Sequence, residues 1–157
     1  MSKPSYVYVS YIRTTPEKLW QAITDSEITK KYWWRSNRSD WKAGSVWEHQ
    51  RADGSQIADI VGKVIETRPP NHLVISWASP EGANDPNRVS RVSFAIEPQA
   101  GGVVRLTVTH SELEAGSAME RGITWGWPLV LASLKSFLET GEGLPIPTIK
   151  SSSERKE

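Results

Sequence analysis

The sequence predicts an α+β fold: a curved antiparallel sheet of about six strands, two short helices after the first strand, and one long C-terminal helix packed on one face of the sheet. Three observations predict it. Short runs with period-two apolar alternation recur between Tyr6 and His110. Apolar residues spaced by three and four run from Trp127 to Leu138. The strand signals follow one another directly instead of alternating with helices, which separates α+β from a parallel α/β architecture.

Tyr6 to Ile12 alternates Tyr, Val and Ser and reads as the first strand. Thr14-Thr15-Pro16-Glu17 is a helix start, with a hydroxyl cap, proline in the first turn and an acid near the positive end of the dipole. Leu19, Trp20 and Ile23 give that helix its apolar stripe. Thr24-Asp25-Ser26-Glu27 opens a second short helix, which ends near Tyr32, Trp33 and Trp34. Val46 to Arg51 and Ala58 to Thr67 are strands joined through the Asp53-Gly54 turn. Pro69-Pro70-Asn71 turns the chain into the strand Leu73 to Trp77. Ser79 to Asn87, rich in Pro, Gly, Asn and Asp, is expected to be a mobile loop. Arg91 to Glu97 and Val103 to His110 complete the sheet through the Gly101-Gly102 hairpin.

The last helix is expected over about Pro128 to Glu139, stopped by Gly141. Its stripe is Trp127, Val130, Leu131, Leu134, Phe137 and Leu138, with Lys135 and Glu139 pointing away. Three strand faces are expected to meet that stripe: Leu73, Ile75 and Trp77; Val92, Phe94 and Ile96; Val104, Leu106, Val108 and His110. Pro128 either begins the regular helix or kinks a longer one, since it lacks the N–H that a helix interior uses. One domain is expected over 1–145, followed by a polar, disordered tail at 146–157.

With 19 Lys+Arg against 18 Asp+Glu, no charge excess recommends nucleic acid. The absence of cysteine removes disulfides, thiolate catalysis and cysteine-based zinc sites. No apolar leader and no membrane-length apolar run are found, so a cytoplasmic protein is expected. Eight Trp against two Phe is the unusual count, because Trp is suited to lining pockets and partner surfaces.

The motifs LWQAITD (19–25), SDWKAGSVWE (39–48), GKVIETRPPNHLVISW (62–77), SRVSFAIEP (90–98), VVRLTVTH (103–110) and GWPLVLASLKSFLETG (126–141), in this order and spacing, resemble the SRPBCC, or START-like, superfamily. Within it the chain is similar to homologues of the HSP-90 ATPase activator, C-terminal-domain type. The resemblance covers about Tyr6 to Gly143 and implies a helix-grip (START/Bet v-like) fold with a cavity between the sheet and the long helix. It implies either an apolar ligand there or a protein partner, and it fixes fold far better than function.

In such a fold Trp33, Trp47, His49, Trp77, Phe94, His110, Trp125, Trp127 and Leu131 are the candidate ligand-binding residues. Trp125 and Trp127 are expected at a pliable segment near the mouth, where Trp125 narrows the pocket or adds an aromatic wall; the plainer reading is that both plug the end of the core. His49 shares the parity of Trp47, and His110 ends an inward alternation. A buried histidine there is a hydrogen-bonded core residue, a general base or a ligand contact, the core reading being the plainer one. Two histidines without a placed carboxylate form neither a zinc site nor a triad, so no catalytic residue, metal or cofactor is assigned. His72, after Pro-Pro, is expected in solvent.

Three functions are open. The first is a binding protein for a hydrophobic or aromatic small molecule. The second is a protein-interaction or co-chaperone-like module using the Trp33-Trp34 region and the Ser79 to Asn87 loop. The third is a cyclase or hydrolase acting on an apolar substrate. A monomer or a homodimer is compatible with the sequence; no nucleic-acid partner and no membrane span are expected.

Overall fold

Each alternating run forms a strand. A computed structural model describes residues 3–145; the polar tail expected over 146–157 lies outside them. Seven strands build one antiparallel sheet: β1 (Tyr6–Arg13), β2 (Arg35–Arg38), β3 (Val46–Arg51), β4 (Ala58–Arg68), β5 (His72–Trp77), β6 (Ser90–Gln99) and β7 (Val103–Ser111). Their spatial order is β1-β7-β6-β5-β4-β3-β2. The sheet therefore has one strand more than the sequence pattern shows. The addition is β2, whose Arg-Ser-Asn-Arg stretch carries no apolar alternation.

Two short helices follow β1. α1 (Pro16–Thr24) is capped by the Thr15 hydroxyl, which accepts from the Lys18 N–H. α2 (Ser26–Tyr32) is capped by the Asp25 carboxylate, which accepts from Glu27 and Ile28. The side chains therefore satisfy N–H groups that a helix start leaves unpaired.

The long helix α3 spans Ala118–Thr140. It begins well before the expected Pro128, which lies inside it. Ser117 caps it by accepting from the Glu120 N–H at 3.1 Å, while the Glu120 carboxylate takes the Gly116 N–H at 2.7 Å. Gly141, at φ 90°, ends it in the left-handed region that glycine enters freely. The Ser79 to Asn87 segment, expected as a loop, carries two short 3-10 turns, Pro80–Gly82 and Pro86–Arg88.

The core lies between the concave sheet face and α3. Leu73, Ile75 and Trp77 of β5, Val92, Phe94 and Ile96 of β6, and Val104, Leu106, Val108 and His110 of β7 are all buried. The register aligns them in rows, Leu73 beside Phe94 beside Val108, and Ile75 beside Val92 beside His110. Trp127, Val130, Leu131 and Leu134 of α3 are buried over these rows, and Phe137 and Leu138 are half-buried.

Lys135 and Glu139, on the exposed side of α3, cover the free edge of β1. Lys135 Nζ donates to the Tyr11 carbonyl, and the Arg13 N–H donates to Glu139 at 2.9 Å. Two outward backbone groups at this end of β1 are thereby taken, which blunts the edge there as a template for further strand pairing. Among the described residues no helix is long and apolar enough to cross a membrane.

Candidate functional site

The sheet and the N-terminal half of α3 do not close completely on each other. Between them lies an open hollow of about 630 Å³. One side is walled by Trp33, at the C-terminal end of α2, and by His49, Ile60, Trp77 and Ser90 of the sheet; the helix side is walled by Ala118, Met119, Gly122, Ile123, Gly126, Trp127 and Val130. The helix side owes its openness to composition. Positions 118, 122 and 126 share a helical face, and they carry Ala, Gly and Gly. A Cβ placed on Gly122 or Gly126 would meet nothing within 4 Å.

The aromatic wall is continuous. Ring centroids of Trp33 and Trp127 lie 5.5 Å apart, those of Trp77 and Trp127 5.6 Å, and those of Trp33 and Trp77 6.4 Å with an interplanar angle of 23°. The rings touch one another, so they form a surface and leave no space among themselves for a cation. The Trp77 indole N–H is directed to the Met119 sulfur at 3.3 Å, tying the wall to α3.

Four of the sequence-predicted site residues line the hollow: Trp33, His49, Trp77 and Trp127. Trp47, Phe94, His110 and Leu131 are buried behind them. Trp47 packs 5.5 Å from Trp77, and Phe94 packs 6.0 Å from Trp127. The Trp47 indole donates to the Ser76 carbonyl at 2.8 Å by passing over Gly62, where an added Cβ would stand 2.6 Å from the indole nitrogen and 1.9 Å from that carbonyl oxygen. Trp125 is in neither layer. Its side chain is 68% exposed on the outer side of α3, so it neither narrows the hollow nor plugs the core. Of the Trp33-Trp34 pair, Trp33 is buried and Trp34 is half-buried, its indole N–H donating to the Leu144 carbonyl at 3.1 Å.

Both inward histidines are uncharged, and the hydrogen bonds fix their tautomers. His110 Nδ1 accepts from the Trp127 indole N–H at 3.0 Å, so its proton sits on Nε2. Nε2 donates to Ser90 Oγ at 2.8 Å, and that hydroxyl donates on to the Trp77 carbonyl at 2.9 Å. Burial pushes His110 down to about 4.

His49 has the opposite tautomer. Asn37 of β2 stands directly across from it in the ladder, and Asn37 Oδ1 accepts from His49 Nδ1. The neutral ring then leaves Nε2 as an acceptor. Burial, reinforced by the nearby Arg35 charge, pushes His49 down to about 3.

Charge is confined to the mouth, where Asp59, Glu81, Arg88 and Glu114 reach the lining. Burial pushes Asp59 up, but ion pairs to Arg51 and Arg35, both at 3.0 Å, outweigh it and hold the carboxyl below its ordinary value. His72 is outside the site, paired with Glu66. Among the described residues no group of three His, Asp or Glu side chains is placed to hold a metal ion.

Asn37, Ser90 and the Ala118-Gly122-Gly126 face are site features that the sequence reading missed. The last was within reach. Ser117-Ala118-Met119-Glu120 has the S-x-x-E signature of a helix start and places these residues on α3.

A sheet wrapped around a long C-terminal helix, with a hollow left between them, defines a helix-grip protein of the SRPBCC, or START-like, type. The family is narrower. The model for the "Activator of Hsp90 ATPase homolog 1-like protein" family matches residues 13–139, and the chain belongs to that family. A search of curated proteins finds no match.

Several solved structures share the fold. The solution structure of the Aha1 dimer from Colwellia psychrerythraea is 24% identical, with a TM-score of 0.69, over 89% of this chain and 99% of that one. CalU16 from Micromonospora echinospora is 21% identical, with a TM-score of 0.69, over 91% of this chain and 78% of its own. An HSP90 activator from Plasmodium falciparum is 18% identical, with a TM-score of 0.67, over 88% and 96%.

Proposed function

We propose that this protein binds a hydrophobic, aromatic small molecule in the hollow between the sheet and α3. One observation carries the reading: a continuous indole wall, to which α3 itself contributes Trp127, borders about 630 Å³ of space left open where positions 118, 122 and 126 of α3 carry only Ala, Gly and Gly. That volume is in the range of drug-sized ligand sites, and mostly apolar walls with a few polar groups are their usual chemistry. The placement of charge supports the same reading. Asp59 is neutralised by two arginines at the mouth, and the interior polar groups are neutral.

The test is a titration of intrinsic Trp fluorescence with fatty acids, sterols, flavonoids and aromatic polyketides. Trp33, Trp77 and Trp127 line the hollow and serve as reporters. A saturable response is expected with a planar aromatic class, and Gly126→Leu, which places a side chain in the free space, is expected to abolish it while the chain stays folded. A response unchanged in Gly126→Leu would place binding elsewhere and overturn the reading.

A second reading, a protein-interaction module, has its own observation. Val7, Val9 and Tyr11 form an exposed row on the outer face of β1. Relatives of the fold include a protein described as a dimer and one described as an HSP90 activator. Sedimentation of the wild type beside Val9→Lys tests this reading. A concentration-dependent dimer lost in the variant favours it, and a monomer in both cases counts against self-association.

A further inference from the structure

We infer that the site selects aromatic ligands carrying a neutral hydroxyl group, a phenol in the simplest case, and that His49 Nε2 is the group that reads it. This deepens the reading of the hollow as an aromatic binding site and rests on it.

His49 is 7% exposed, and its ring lines the hollow. Its Nδ1 is committed to Asn37. Its Nε2 has no hydrogen-bond partner among the described residues. Nor is it sealed in the protein: the fully enclosed side-chain atoms without a partner are the hydroxyls of Thr14, Ser36 and Thr67. The nitrogen therefore opens onto the space that the ring lines. A ligand that displaces solvent from this nitrogen must supply a donor of its own or leave a desolvated acceptor unpaired, and the second is costly.

The Trp33 indole lies edge-on to His49, with centroids 5.2 Å apart, and its N–H likewise has no partner among the described residues and is not sealed. The wall thus presents one free acceptor and one free donor on adjacent rings. A hydroxyl is the smallest ligand group that donates and accepts at once.

Alternatives fit less well. A carboxylate has no proton to give His49 and the neutral ring gives it no cation; the cation in the lining is Arg88, at the mouth, which would hold a carboxylate there and leave His49 Nε2 unread. An ammonium group would donate, but the indoles pack against each other and form no cage around a cation; of the acids at the mouth, Asp59 is matched by Arg35 and Arg51, and Glu81 and Glu114 are exposed to solvent. The flat indole surface takes the aromatic body of the ligand, and His49 orients its hydroxyl. A site built to hydrogen-bond a hydroxyl discriminates strongly against the analogue that lacks one.

The test is calorimetric titration of the full chain with naphthalene, 2-naphthol, 2-methoxynaphthalene and 2-naphthylmethylammonium, in the wild type and in His49→Phe. The wild type is expected to bind 2-naphthol about tenfold more tightly than 2-methoxynaphthalene, the worth of one well-made hydrogen bond in a buried site. In His49→Phe that ratio should fall to about one. Equal affinity of the wild type for naphthol and its methyl ether would overturn the hydroxyl proposal and leave the aromatic site standing. Tighter binding of the ammonium than of the naphthol would overturn it in favour of a cation site. No binding of any probe, naphthalene included, would overturn the aromatic site itself and this inference with it. The wild-type ratio is read without any variant, so the proposal stays testable if His49→Phe does not fold.

Discussion

His49 and His110 are the same residue in the same core, and they are used in opposite ways. Each follows an inward-facing strand alternation, each is buried, and each is held neutral by its surroundings. His110 is closed: one nitrogen accepts from Trp127, the other donates to Ser90, and the chain of bonds ends on the Trp77 carbonyl. His49 is open: Asn37 takes one nitrogen, and the other faces free space. Burial and a lowered pKa are therefore common to both histidines; the count of satisfied ring nitrogens is what differs.

The largest expected effect separates the two by stability. His110→Phe leaves the Trp127 indole N–H and the Ser90 hydroxyl without their ring partner and is expected to cost about 3 kcal/mol, whereas His49→Phe strands only Asn37 and should cost about 1 kcal/mol. Urea unfolding measures both, and equal costs would break the contrast.

The second effect is in the pH dependence. Both histidines have folded values below the ordinary value of about 6.5, His110 near 4 and His49 near 3. Between the ordinary value and the folded ones, the unfolded chain holds protons that the folded chain does not. Stability is then full near neutral pH and falls as the pH drops through this window, by up to about 1.4 kcal/mol per pH unit for each histidine. His110→Phe should remove its share of the slope and leave that of His49. A slope unchanged by the substitution would show that His110 does not titrate as described.

The smallest effect concerns the space on the open side. Gly126→Ala adds a methyl group where nothing stands within 4 Å and relieves a glycine inside a helix. A gain of about 0.5–1 kcal/mol is expected in thermal unfolding. A loss would mean that the glycine face is packed and that His49 has less room than its contacts indicate.

The same two residues show what the sequence could carry. Strand alternation put both histidines inward, because period two records which face is buried. It did not record their partners. Asn37 sits on β2, an edge strand whose Arg-Ser-Asn-Arg stretch buries polar side chains and no apolar ones, so no hydrophobic pattern marks it. The start of α3 was obscured differently. Gly122, Gly126 and Pro128 are local helix breakers, yet helix packing on the sheet and the Ser117 cap outweigh their propensity. Once the helix is known to run through them, Trp125 follows. Two residues before the inward Trp127 is about 200° around the helix, which points Trp125 to solvent.

The most direct measurement is long-range proton–nitrogen NMR of the histidine rings, taken free and with 2-naphthol. The account predicts two neutral rings of opposite tautomer, His49 protonated on Nδ1 and His110 on Nε2, with the ligand shifting only the His49 Nε2 resonance. The same tautomer at both positions, or a ligand shift at His110 with none at His49, would contradict it.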